Sequence, residues 1–99
     1  MRRGTTPTHT FSTDVDLSDS SVLYVTYEQN NGIIVEVDKS RCSINENSVV
    51  TSLTQEETLK FQDCGDVLIQ IRAGWSNGKR VASNIMRVPI ERVIKDGVI

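Results

Sequence analysis

Long apolar runs, charge of one sign and clustered metal-binding side chains are all missing from this 99-residue chain. No hydrophobic stretch comes near the ~18 residues that a membrane-spanning helix needs, and the N-terminus lacks the apolar segment of a secretion signal. The expected product is made and folded in a cytoplasm, with no membrane partner. Eleven basic and thirteen acidic residues are interspersed and leave a formal charge of −2, so there is no electrostatic footprint for nucleic acid. Arg2 and Arg3 form a short basic start, below the roughly five like charges that make a binding tail.

Cysteine and histidine are as scarce. Cys42 and Cys64 show no Cys-x-x-Cys spacing, and the single histidine, His9, is far from both in sequence. Neither a metal centre nor a cofactor is expected from such a set. In a reducing compartment two isolated cysteines read as small buried hydrophobes; if they fall on facing strands, a disulfide could still form outside the cell.

The pieces of catalytic chemistry do not assemble either. Asp14, Asp16 and Asp19 are close enough to share a hard cation, but the glycine and terminal glutamate of a calcium loop are missing, and a solvated acidic turn is the plainer reading. Glu56 and Glu57 are adjacent, so on a helix they diverge by roughly 100° and cannot act as a paired acid and base on one substrate. His9 lies between Thr8 and Thr10 in a strand, where alternation sends neighbouring side chains to opposite faces and denies the hydroxyls a base. No enzyme and no small-molecule substrate are expected.

What is present is alternation. In the segment from Asp66, Val67, Ile69, Ile71 and Ala73 alternate with Leu68, Gln70, Arg72 and Gly74, the pattern of a half-buried antiparallel strand. Asn77-Gly78 follows, a pair suited to the positive φ angles of a tight hairpin turn. Val22 to Glu28 alternates Val22, Tyr24 and Thr26 with Leu23, Val25 and Tyr27, which predicts a central strand covered on both faces. Gln29 to Gly32 reads as a hairpin loop, and Ile33 to Asp38 as the returning strand, with Ile33, Val35 and Val37 on one face. Thr8 to Thr13 forms a first strand after Pro7, anchored inward by Phe11. Asp14 to Ser21 is a loop by its Asp and Ser chemistry. Cys42 and Ile44 belong to a short strand that turns through Asn45-Glu46-Asn47 into Ser48 to Leu53.

One helical signal stands among these strands. Thr54 is placed to cap and Glu57 follows three residues on, as a capping box requires. The predicted helix runs from Gln55 to Phe61, with Leu59 inward, and bridges two sheets at one edge. Val81 to Val93 is a last strand in which Pro89 should mark an edge, a bulge or a break. The tail from Lys95 is expected to fray, and Met1 to Thr6, polar and without period, to be a mobile arm.

About seven short strands and one helical turn in 99 residues fit a single domain, an immunoglobulin-like antiparallel β-sandwich. The chain has only five aromatic residues, Phe11, Tyr24, Tyr27, Phe61 and Trp75. Trp75, beside the turn with Asn77, Lys79 and Arg80, is either a protein-contact anchor, since tryptophan and arginine are enriched at binding hot spots, or a ring folded back over the sheet edge.

Arg2-Arg3-Gly4-Thr5-Thr6-Pro7-Thr8-His9-Thr10-Phe11, Leu53-Thr54-Gln55-Glu56-Glu57-Thr58-Leu59-Lys60-Phe61 and Val67-Leu68-Ile69-Gln70-Ile71-Arg72 together resemble a group of short prophage-encoded proteins of Firmicutes. The order of parts is also similar to the N-terminal sandwich domain of phage upper baseplate proteins. The resemblance implies a place among virion or tail genes, with partners among other phage structural proteins and possibly further copies of the chain. It implies no enzyme. The alternatives are a binding module for a host protein, or for a carbohydrate on the support of Trp75.

Overall fold

The computed structural model describes residues 1–62 and 65–90. Its longest strand is β6, Asp66–Gly74. Val67, Ile69, Ile71 and Ala73 are all buried, as their spacing of two predicts for one face of a pleated strand. Beside it runs β2, Val22–Gln29, antiparallel and in a register that sets Leu23 opposite Ala73, Val25 opposite Ile71 and Tyr27 opposite Ile69. Two apolar faces thus merge into the floor of the core.

On the other side of β2 lies β3, Gly32–Asp38, joined to it by a two-residue turn. Asn30 and Asn31 take φ of 55° and 65° there, the left-handed pair that closes a hairpin with the twist of its strands. Beyond β6 come β7, Arg80–Ala82, and β8, Met86–Pro89, which pair with its C-terminal and N-terminal halves respectively. The larger sheet therefore has the order β3-β2-β6-β7, with β8 also paired to β6.

A second antiparallel sheet has the order β1-β5-β4, built from Thr8–Ser12, Ser48–Ser52 and Cys42–Asn45. Phe11, Val49 and Leu53 face the larger sheet from this layer. The chain changes sheet between β1 and β2, between β3 and β4 through a 3-10 turn at Lys39–Arg41, and between β5 and β6 through α1, Gln55–Leu59. Lettered as an immunoglobulin sandwich, the smaller sheet is B-E-D and the larger C′-C-F-G, with neither an A nor a C″ strand among the described residues. The fold is thus an immunoglobulin-like β-sandwich. Eight strands are described where seven were expected, because the last one breaks at residues 83–85.

Helix α1 exists because its first turn is capped twice. Thr54 Oγ1 accepts from Glu57 N at 3.2 Å while Glu57 Oε1 accepts from Thr54 N at 2.9 Å. The helix is shorter than predicted and rotated. Thr58 and Phe61 are buried, and Leu59 is only half-buried.

Several other expectations are corrected. Met1 to Thr6 is tied down, not a mobile arm: Arg3 donates to the carbonyls of Phe61 and Leu59, Thr5 exchanges hydrogen bonds with Thr58, and Gln55 donates to Gly4 O. The arm satisfies carbonyls that the short helix leaves open at its C-terminus. Strand β2 is covered on one face only. On β3, Ile33 points outward, because Tyr27 pairs with Val35 and Glu28 with Ile33, leaving Ile34 as an extra residue that reverses the alternation. Pro89 sits at the end of β8, which pairs with β6 alone and so lies at an edge, one of the three readings expected of it; the break lies at residues 83–85, where the Ser83 side chain accepts from Ile71 N. Cys64 and the tail from Lys95 lie outside the described residues.

Candidate functional site

The hairpin between β6 and β7 is built as a five-residue loop. Gly78 N donates to Trp75 O and Trp75 N donates to Lys79 O, a type I turn followed by a left-handed glycine, with φ of 93° at Gly78. Asn77 does not take the positive φ expected of it; its side-chain oxygen accepts from Lys79 N instead. Trp75 is half-buried and packed on the core, with Lys79 Nζ 5.1 Å from its ring centre. Arg80 donates to the carbonyls of Trp75 and Lys79 and lies across Gly74. The four residues predicted as a contact site are therefore brought together, but they brace one another, and the tryptophan is folded back on the sheet.

The exposed apolar surface lies elsewhere. Val22 and Tyr24 are 44% and 36% exposed, and Ile33 and Ile85 are each 62% exposed. Val22, Tyr24 and Ile33 stand on the outward face of the larger sheet, and Ile85 lines the same hollow as Ile33, Leu68 and Gln70. Around them are charged groups of both signs. Arg72 stacks over the Tyr24 ring at 5.6 Å and reaches Glu36 at 3.3 Å, a solvent-facing pair. A second hollow, between Val22, Tyr24, Arg72 and Arg80, forms where Gly74 has no side chain.

This face escaped the sequence reading. Apolar residues on both sides of β2 predict a strand with core on both faces, whereas a strand covered on one side only presents the other set to solvent. The signal is present in Val22 and Tyr24; no layer among the described residues covers them.

Other polar sites have structural roles. His9 Nδ1 and the Tyr27 hydroxyl are hydrogen-bonded at 2.8 Å. Burial lowers the His9 pKa and raises that of Tyr27, so the pair is neutral at physiological pH. Arg41 holds Glu57 through two contacts of 2.6 Å and, against the opposing effect of burial, lowers its carboxyl to about 2. Asp16 accepts from the amide and hydroxyl of Ser18, an Asx turn that lowers its pKa. Burial pushes the Cys42 thiol up, away from the thiolate. Among the described residues, no three His, Cys, Asp or Glu side chains are grouped to hold a metal ion, and no helix is long and apolar enough to cross a membrane. A groove of about 380 Å³ opens between β1 and β7, each at a sheet edge among the described residues, floored by Phe11, Leu17, Ile71 and Ala73.

No protein-family model matches the chain, and no curated protein matches it. Among solved structures it is similar to the V domain of amphioxus IgVJ-C2, with a TM-score of 0.40 and 10% identity over 94% of this chain and 97% of that one.

Proposed function

We propose that this chain is a non-enzymatic contact module, an assembly or adaptor component of a phage tail or baseplate that works through the outward face of its larger sheet. The observation that carries this reading is the exposure of Val22 and Tyr24 at one end of the outward face and of Ile33 and Ile85 at the other. A chain this small gains nothing in folding from large apolar groups in water, and a rimmed apolar patch is the usual mark of a protein-binding surface. The phage assignment is supported by the resemblance of three of its segments to short prophage-encoded proteins.

The test is mass spectrometry of purified particles from an induced prophage that carries the gene. The protein is expected in the particles, and Tyr24→Arg is expected to leave the isolated protein folded and remove it from them. Its absence from wild-type particles would sink the virion reading.

A further inference from the structure

Resting on the reading that this outward face is the working surface, we infer that it takes a second copy of the chain, docked face to face about a twofold axis parallel to the strands. The face is polarised across the strands. Glu36 and Asp38 occupy the β3 flank, and Glu28 lies further along β2, opposite Ile33. Arg72 on β6, with Arg80 and Arg87 beyond it on β7 and β8, occupies the other flank. Val22 and Tyr24 lie between the acidic and basic columns.

That arrangement selects the symmetry. A rotation of 180° about an axis in the plane of the sheet and along its strands exchanges left and right, so each acidic flank covers the partner's basic flank. Tyr24 then approaches the partner's Arg72, and Val22 meets the partner's Arg80 side chain where it crosses Gly74. An axis across the strands would lay each strand over its own copy, acid on acid and base on base, which is unfavourable. The first operator alone gives a self-complementary surface with an apolar centre and a charged surround, as an isologous dimer requires. The two columns meet within one copy at the Arg72–Glu36 pair, and Arg87 reaches Asp66 on its own flank, so Asp38 and Arg80 carry the charge exchanged across the axis.

Light scattering on a size-exclusion column, with protein loaded at about 200 µM, reads the outcome directly. The wild-type protein should elute at twice its 11.0 kDa chain mass. A double variant Glu36→Arg/Asp38→Arg and a double variant Arg72→Glu/Arg80→Glu should each be monomeric, and an equal mixture of the two should recover the doubled mass. Thr10→Lys, on the outer side of the other sheet, should leave the dimer intact. A wild-type protein that stays at the chain mass, or a mixture that stays monomeric while both variants keep their sheet signal in circular dichroism, overturns the pairing. If the charge variants fail to fold, the wild-type mass decides alone. The contact-module reading fails separately: a monomeric wild type still incorporated into particles, and lost from them with Tyr24→Arg, rejects the twofold dimer but not the module.

Discussion

His9 and Glu57 make this fold acid-sensitive at two separate points, with signs fixed by their surroundings. Burial lowers the His9 pKa below its ordinary 6.5. The unfolded chain therefore binds that proton more readily than the folded one, and the stability from a neutral His9 is present above pH 6.5 and lost as pH falls through the folded value. Glu57 follows the carboxylate pattern. Its contribution is present above its ordinary 4.5 and lost as pH falls toward about 2, where the carboxyl finally protonates against Arg41. Urea unfolding at about pH 7.5 and 5.5 should show a drop in midpoint that His9→Gln reduces, whereas Glu57→Gln should flatten the profile below about pH 4.5. At neutral pH Glu57→Gln should cost only about 0.5 kcal/mol, because glutamine still accepts from Thr54 N and the lost attraction to Arg41, which faces solvent, is screened. The other cost at this scale is burial: Leu23→Ala, a side chain 1% exposed, should lose about 2–5 kcal/mol in the same measurement.

The elements show what could be read from the chain and what could not. Strand β6 was legible because its period of two is unbroken and matches its buried set, and α1 was legible because a capping box leaves a spacing as well as a composition. The two hairpins show the limit. Asn77-Gly78 looked like the tight turn, yet three further residues, Trp75, Ser76 and Lys79, join that loop and only Gly78 in it takes a positive φ; Asn30-Asn31 supplies the two-residue turn instead. Loop length depends on where the strands stop pairing, which no dipeptide states. The same holds for Ile33, turned outward by a bulge that local alternation does not reveal. The Met1–Thr6 arm looked mobile because its anchors, the carbonyls of Leu59 and Phe61, are more than fifty residues away. The candidate site was the least legible: Trp75 drew attention as a residue type, while the exposed set is defined by the absence of a covering layer. These turns can be tested by substitution. Asn31→Gly should be neutral or stabilising by a few tenths of a kcal/mol, and Asn31→Val destabilising by about 1–2 kcal/mol, since a branched side chain is poorly tolerated at positive φ; thermal melts compare the two.

At the scale of the whole molecule, stability and contact draw on opposite faces of one sheet. Val25, Val37 and Ile71 hold the two layers together, and Val22, Tyr24 and Ile33 lie outside that core. Tyr24→Arg should therefore leave the melting temperature of dilute protein nearly unchanged, within about 0.5 kcal/mol of unfolding free energy. It should also abolish the rise in melting temperature with protein concentration that a self-associating wild type shows in calorimetry. The flank where an immunoglobulin sandwich would carry its first strand has a different consequence. There β1 offers backbone groups with no neighbouring strand among the described residues, next to the groove floored by Phe11 and Ile71. An open ladder beside oily residues is a nucleus for fibrils, so on warming or long storage this flank is where the protein would begin to precipitate, and a lysine at Thr10 would delay the haze.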